Sequence, residues 1–147
     1  MSDRPIPLVD LGYQQRQVAE DVRAGWEAVL ERTAFVLGDE VATFEQAYAD
    51  FTGVSHCVGV ANGTDALEMA LRALDIGPGD EVVVPANTFV ASALAVRRSG
   101  ATPVLVDVDA DHLLIEPGQV AEAVGPRTRA VMPVHLYGQM APMHELA

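Results

Sequence analysis

The sequence predicts an α/β fold in which a mostly parallel sheet has helices on both faces. From His56 onward, short apolar runs alternate with segments of helical periodicity. The runs are apolar on both sides, which is typical of strands covered on each face of a parallel sheet. Half of the 147 residues are hydrophobic and a fifth are charged, enough apolar material to form a buried core.

Residues 1–53 are predicted to form two helices. The first extends from about Gln14 to Glu31, because its apolar residues recur every three or four positions and so share one face. The second is predicted to have Asp39 as its N-cap and to end at Thr52-Gly53. The residues on the shared face of the first helix are Val18, Val22, Trp26, Val29 and Leu30, and both a partner and the chain's own core are open as what this face covers. The expected inner face of the second helix is Val41, Phe44, Tyr48 and Phe51.

Residues 54–147 are predicted to form the α/β part. No repeat, low-complexity tract or linker divides the chain, which has a length suited to one domain. The sequence stops about one turn into its last predicted helix, too short to bury a face, so we expect a single incomplete domain. Strands are expected at residues 56–61, 81–85, 103–108 and 130–135, helices at 64–74, 88–99, 119–124 and from Pro142, and turns at 77–80 and 125–126.

The charge balance argues against several classes of partner. The chain has 9 basic residues, all arginines, and 21 acidic ones, for a formal charge of −12. No basic cluster exceeds Arg97-Arg98, so we expect neither nucleic acid nor a membrane as a partner. Residues 1–5 lack the features of a signal peptide, and the longest apolar run, at 82–96, is broken by proline and polar residues. We therefore expect a cytoplasmic protein.

A candidate phosphate site lies at the predicted strand-to-helix turn of residues 61–66. The first amides of a helix have no partner within it and lie at the positive end of its dipole, so they can bind a phosphate. Gly63 permits close approach to the backbone, and the Thr64 hydroxyl adds a donor. Asp65 is expected to contribute its amide, since its carboxylate would repel a phosphate. The alternative is an ordinary turn in which Asn62 or Thr64 caps the helix.

Phe89 follows the next predicted strand, where the next helix is expected to begin. Carboxyl ends of neighbouring parallel strands share one crevice, so Phe89 is expected to face the same ligand as Gly63 and Thr64 and to stack on a flat ring. The alternative is that Phe89 belongs to the core. His135 follows the fourth predicted strand at this edge, and we interpret it as hydrogen-bonded structure rather than as a catalyst.

No metal site is predicted. Asp107, Asp109 and Asp111 alternate like the start of a calcium loop. However, His112 stands where such a loop needs glycine, and Gly118 stands where it needs glutamate. The four histidines include no pair at the spacing of helical zinc ligands. The aspartates are interpreted as a solvated strand end and the approach to a helix.

A series of short motifs extends along nearly the whole chain. In order, they are PLVDL at residues 7–11, VLG at 36–38, FE at 44–45, VANGTDAL at 60–67, GPGDEV at 77–82, PANTF at 85–89, VDVD at 106–109 and PVHLYGQ at 133–139. Each motif is weak alone, but the ordered series is specific. It resembles the DegT/DnrJ/EryC1/StrS family of sugar aminotransferases, which use pyridoxal 5'-phosphate.

The resemblance implies the N-terminal part of the large domain of a fold type I, aspartate-aminotransferase-like enzyme. It implies that Gly63, Thr64 and the Asp65 amide hold the cofactor phosphate and that Phe89 stacks on the pyridine ring. The expected reaction converts a keto nucleotide sugar to an amino sugar, with an amino acid such as glutamate as amino donor. The motif at residues 60–67 is most similar to members that aminate 3-keto sugars. Family members build each active site from two subunits, which implies a homodimer for the full-length protein.

The chain departs from the family in having no lysine. In the family, the lysine that binds the cofactor covalently and the aspartate that pairs with the pyridinium nitrogen both follow the segment matched by residues 135–139. We therefore expect both beyond Ala147, and expect these 147 residues to be inactive by themselves. Relatives with histidine in place of the lysine are dehydratases, so that branch stays open. The alternative to an enzyme is a non-catalytic domain that binds a phosphorylated ligand.

Overall fold

The computed structural model describes Pro7 and residues 9–147. The expected lack of a signal peptide concerns residues 1–5, which lie outside the described residues, as does Leu8 of the first motif. By its internal contacts the chain divides into two compact units, Met1–Gly59 and Val60–Ala147. The first unit contains two helices, and the second contains the sheet.

Both predicted helices of the first unit are present. Helix α1 spans Leu11–Arg32 and α2 spans Asp39–Thr52, so the two predicted segments are confirmed. The prediction of Asp39 as the N-cap is wrong, because Gly38 holds that position and Asp39 is the first helical residue. A carboxylate in the first turn still interacts favourably with the helix dipole.

The apolar faces of these two helices are not buried. No residue of α1 is buried, and in α2 the buried residue is Ala49. Phe44, Tyr48 and Phe51 form a row of rings with centroid separations of 5.6 and 6.3 Å, and Phe51 is 85% exposed. The prediction that these residues form a core is wrong for this chain. Periodicity shows which side chains share a face, but it does not show what covers that face.

The second unit has a parallel sheet of three strands in the order β2-β1-β3. These are β1 (Glu81–Pro85), β2 (Thr102–Val106) and β3 (Thr128–Val131), and both pairings are parallel. The central strand was predicted to the residue, and the α/β class is confirmed. The helices of this unit are α3 (Gly63–Ala73), α4 (Ala91–Ser99), α5 (Pro117–Ala123) and α6 (Met143–Leu146).

Several predicted boundaries are wrong. Residues 56–61 form no strand, since nothing among the described residues pairs with them, and extended backbone becomes a strand only through ladder hydrogen bonds. The Gly59 N–H instead donates to the Glu45 carboxylate at 2.7 Å. Helix α4 begins at Ala91 rather than at Thr88, and β3 lies earlier in the chain than the predicted 130–135.

Successive residues of β1 point to opposite faces of the sheet and enter separate cores. Val82 and Val84 pack with residues of α3 and α4, whereas Val83 packs with residues of β2 and α5. All three valines are fully buried. Helices therefore lie on both faces, as predicted from strands that are apolar on both sides. The other buried members are Leu71, Ile76, Val96 and Ala101 on the first face, and Val106, Ile115, Val120 and Ala141 on the second.

The predicted turn at residues 77–80 leads directly into the central strand. The Asp80 N–H donates to the Gly77 carbonyl at 3.0 Å, and the Asp80 carboxylate accepts from the Gly77 N–H at 2.9 Å. Gly79 has a φ of +97°, a left-handed conformation that favours glycine. Strand β1 then ends at Pro85, just before the segment that carries Phe89.

Candidate functional site

The first turn of α3 leaves two backbone donors available. Asn62 is the N-cap in an extended conformation, and its side-chain oxygen accepts the Asp65 N–H at 3.0 Å. The first hydrogen bond of the helix joins the Ala66 N–H to the Asn62 carbonyl, also at 3.0 Å. Within the described residues, the Gly63 and Thr64 N–H groups therefore have no acceptor. Such a pair at the positive end of an 11-residue helix can bind an anion.

The space in front of Gly63 is open. A side chain built on this glycine would meet no atom within 4 Å, so the described residues leave room for a ligand against the backbone. Gly63 itself is exposed, and Thr64 beside it is half-buried. These two residues thus fit a phosphate group in both hydrogen-bonding chemistry and available space, as expected from the motif.

The Asp65 amide is already hydrogen-bonded in this structure. The sequence suggested both that Asn62 could cap the helix and that the Asp65 amide could bind phosphate, and these two roles use the same N–H. A phosphate oxygen at this amide would have to replace the Asn62 oxygen. The role of the Asp65 amide in binding phosphate stays a prediction, as do those of Gly63 and Thr64, whose two N–H donors do not depend on it.

The Asp65 carboxylate belongs to an ion-pair network that sequence analysis missed. Its Oδ1 accepts from the Arg98 guanidinium at 3.1 Å, and its Oδ2 accepts from the Asn62 amide at 3.0 Å. Arg98 lies in the last turn of α4 and also pairs with Glu68 of α3 at 2.7 Å. The spacing of Glu68 and Arg72 was a readable signal for part of this network, because residues four apart on a helix are neighbours. The contact with Arg98 required the tertiary structure.

Phe89 lies between β1 and α4, in a segment that is neither strand nor helix. Its ring is 76% exposed, so the alternative in which Phe89 is a core residue is excluded for this chain. Its carbonyl accepts the Ser92 N–H at 3.1 Å, and the hydroxyls of Thr88 and Ser92 are 2.9 Å apart. These bonds hold the backbone at the start of α4 and leave the ring available for stacking. That Phe89 and Gly63 face one ligand stays a prediction.

His135 acts as a hydrogen-bond acceptor. The Ala141 N–H donates to its Nδ1 at 2.9 Å, which places the proton of the neutral imidazole on Nε2. The histidine precedes a short 3₁₀ turn at Leu136–Gly138 and connects it to the approach of α6. This agrees with its interpretation as hydrogen-bonded structure.

Asp109 organises the loop between β2 and α5. Its carboxylate accepts N–H groups from Asp111 and Leu114 at 3.1 Å and from His112 at 2.6 Å. These hydrogen bonds, led by that from the His112 backbone, hold the pKa of Asp109 below its ordinary value. A cleft of about 510 Å³ lies beside this loop, lined in part by Asp109, His112 and His144. The sequence predicted a solvated strand end and the approach to a helix here, and the structure adds that the loop closes on the Asp109 carboxylate.

We expect Asp109→Asn to lower the melting temperature at neutral pH. A lowered pKa in the folded state stabilises the fold above the pKa of the unfolded chain, and this stabilisation is lost as pH falls through the folded pKa. The difference between wild type and variant should therefore shrink as pH is lowered from 7 to about 3. Thermal denaturation followed by circular dichroism measures this, with Asp111→Asn as the matched control. A difference that stays constant with pH would contradict the prediction.

The described part of the chain contains neither a metal-binding cluster nor a membrane-spanning helix. No group of three or more histidine, cysteine, aspartate or glutamate side chains is arranged there to hold a metal ion. Among the described helices, none has both the length and the apolar character needed to cross a bilayer.

Comparison with known proteins identifies the family of this chain. The pattern of the DegT/DnrJ/EryC1/StrS aminotransferase family matches residues 16–147. The chain is 45% identical over 141 residues to dTDP-3-amino-3,6-dideoxy-alpha-D-galactopyranose transaminase of Aneurinibacillus thermoaerophilus, covering 96% of this chain and 39% of that protein. The chain thus spans about two fifths of the length of that relative.

Two solved structures have the same fold over nearly all of this chain. DesV from S. venezuelae superposes with a TM-score of 0.90 at 45% identity, covering 96% of this chain and 38% of DesV. NtdA from Bacillus subtilis, solved with its cofactor PMP bound, has a TM-score of 0.86 at 33% identity, covering 99% of this chain and 34% of NtdA. The expected fold type is thereby confirmed.

Proposed function

Because the chain belongs to the DegT/DnrJ/EryC1/StrS aminotransferase family, we propose that it is part of a pyridoxal-phosphate-dependent transaminase acting on a keto nucleotide sugar. The observation that carries the proposal is the pair of N–H groups at Gly63 and Thr64, which lie within the family motif and have no acceptor among the described residues, with open space in front of Gly63. The transaminase from Aneurinibacillus, whose name specifies a 3-amino sugar, supports a 3-keto substrate. Its name also supports amino transfer over dehydration.

The residues of this chain would bind and orient the cofactor. The Gly63 and Thr64 amides and the Thr64 hydroxyl would hold its phosphate through charge-assisted hydrogen bonds, and the exposed Phe89 ring would cover one face of its pyridine ring. When bound, pyridoxal phosphate supplies the electron sink and carries the amino group between donor and acceptor. The amino donor in this proposal is an amino acid such as glutamate.

The covalent and acid–base parts of the reaction require residues that this sequence does not contain. None of the 147 residues is a lysine, and a lysine amine is the group that bonds to the cofactor aldehyde and moves the proton in such enzymes. The relative from Aneurinibacillus is more than twice as long as the segment matched here. We therefore place the lysine, and the aspartate for the pyridinium nitrogen, in a part of the protein that follows Ala147.

We also propose that the longer protein is a cytoplasmic homodimer. Its first unit has an apolar cleft of about 410 Å³ lined by Trp26, Val29, Leu30 and Phe35, and Trp26 is 65% exposed. Exposed apolar surface of this kind favours association. Light scattering of the longer protein should give the mass of a dimer, and an active monomer would refute this part of the proposal.

Thr64 is proposed to bind the cofactor phosphate and Phe89 to stack on its ring, so mutations of the two residues should weaken cofactor binding in different ways. With this chain, we expect Thr64→Ala to weaken binding of pyridoxal 5'-phosphate about fivefold, the typical effect of one lost hydrogen bond. Binding of pyridoxal, which has no phosphate, should not change. Phe89→Ala should weaken binding of both compounds by about threefold to tenfold, because each has the ring.

Isothermal titration calorimetry with the two compounds measures these affinities. Thr43→Ala and Phe51→Ala are matched controls, since both residues are exposed and lie in α2. Circular dichroism confirms that each variant is folded. If Thr64→Ala weakens pyridoxal and pyridoxal 5'-phosphate equally, Thr64 does not bind the phosphate, and the proposed site is wrong.

A further inference from the structure

The start of α3 combines an anion site with a negative charge. Asp65 is the acidic residue in the first turn of this helix, one position after Thr64. A carboxylate this close to a bound phosphate dianion would raise the free energy of the bound state, because like charges repel and the site is only partly solvated. Binding of phosphate at Gly63 and Thr64 therefore needs a positive charge that offsets Asp65.

The structure supplies that charge from a different helix. The Arg98 guanidinium reaches from the last turn of α4 to Asp65 Oδ1 at 3.1 Å and to Glu68 Oε2 at 2.7 Å. Arg72 completes the network, since it pairs with Glu68 at 2.9 Å and donates to the Arg98 carbonyl at 2.6 Å. Two carboxylates and two guanidinium groups thus leave this part of the helix surface electrically neutral.

The network also orients the carboxylate. Asp65 Oδ2 accepts from the Asn62 amide, and Oδ1 accepts from Arg98, so both oxygens are engaged by donors. The Asp65 side chain is half-buried in this arrangement, with 29% of its surface exposed. Removal of Arg98 would release Asp65 Oδ1, leave Asn62 as the remaining donor to this carboxylate, and leave Asp65 and Glu68 with a single cation in the network, Arg72.

We propose that Arg98 is a positioning residue for the phosphate site, which it maintains by neutralising and orienting Asp65. This inference rests on the proposed function, because it assumes that a phosphate binds at Gly63 and Thr64. Arg98 makes no contact with the phosphate in this proposal and acts only through Asp65. The competing role is a purely mechanical one, in which Arg98 holds α3 and α4 together.

The test is a titration of the chain with inorganic phosphate at constant ionic strength, followed by NMR of the Gly63 and Thr64 amides. We expect saturable shifts in the wild type and about fivefold weaker binding in Arg98→Ala, given the modest strength of partly exposed ion pairs. Arg97→Ala is the matched control: it removes the same charge from the adjacent position of α4, where Arg97 forms no ion pair with the described residues. It should bind phosphate like the wild type.

The double variant Asp65→Asn, Arg98→Ala separates the two roles. If Arg98 acts by offsetting Asp65, removal of the carboxylate should restore wild-type affinity although the contact between helices is still lost. Affinity that stays low in the double variant would assign the mechanical role and overturn the inference. Arg98→Gln keeps most of the side-chain length and replaces Arg98→Ala if the alanine variant does not fold.

The remaining outcomes distinguish a failure of the inference about Arg98 from a failure of the proposed phosphate site. Equal affinities in Arg98→Ala and Arg97→Ala, with saturable wild-type binding, would overturn the role of Arg98 and leave the phosphate site intact. Failure of the wild-type amides to shift with phosphate would overturn the site itself and the inference with it.

Discussion

Borohydride reduction of this chain in the presence of pyridoxal 5'-phosphate should leave no label on any side chain. The sequence has no lysine, so its α-amino group is the only primary amine that can bond to the cofactor aldehyde. For the same reason we expect no measurable transamination of a keto nucleotide sugar by these 147 residues. The expected effect is complete loss of transamination relative to a full-length transaminase, since the lysine that such an enzyme uses is absent from this sequence.

Peptide mapping by mass spectrometry after reduction measures the labelling. A full-length relative such as the transaminase from Aneurinibacillus serves as the positive control. Acetylation of the α-amino group before the experiment should abolish the remaining N-terminal label. A stable adduct on an internal residue, or turnover by this chain, would show that its cofactor chemistry differs from the proposal.

Ile115→Ala should be strongly destabilising. Ile115 is 1% exposed and packs on the second face of the sheet with Val83, Val106 and Val120. It also forms an isolated antiparallel bridge with Val108. Removal of its buried methylene and methyl groups should cost about 2–5 kcal/mol, from lost burial and from the cavity left behind. For a domain of ordinary stability, this is a large share of the free energy of unfolding.

Urea denaturation followed by circular dichroism gives the change in unfolding free energy. Leu105→Ala is the matched control, because Leu105 lies on β2 and is 59% exposed. We expect the control to change stability by no more than about 0.5 kcal/mol. Equal costs for the two variants would mean that Ile115 is not part of a packed core.

Local signals were sufficient for much of the sheet and its helices. Residues 82–85 are apolar on both sides, and the structure forms β1 at Glu81–Pro85. The turn before it was readable from Gly77-Pro78-Gly79-Asp80, since proline and glycine favour its backbone conformation. The start of α3 was readable from Asn62, because an asparagine side chain can accept a hydrogen bond from an N–H in the first turn of a helix. In each case the decisive interactions join residues a few positions apart.

Where a prediction depended on a distant partner, local patterns were insufficient. Residues 56–61 have the composition of a strand, but a strand also needs a neighbour, and none of the described residues provides it. The apolar face of α2 around Phe51 was expected to point inward and is exposed, and the apolar face of α1 around Trp26 is exposed as well. Spacing determines which side chains point together, whereas burial depends on what packs against them.

In the candidate site, too, some features follow from local sequence and others depend on contacts between distant residues. The sequence by itself predicted a phosphate site at Gly63 and Thr64 and a stacking role for Phe89, showed the lack of a lysine, and indicated the family through its ordered motifs. Only the tertiary structure showed that Arg98, 33 residues away in the sequence, pairs with the Asp65 carboxylate. An ion pair between two helices depends on how those helices pack, and packing depends on contacts across the whole unit that no local pattern encodes.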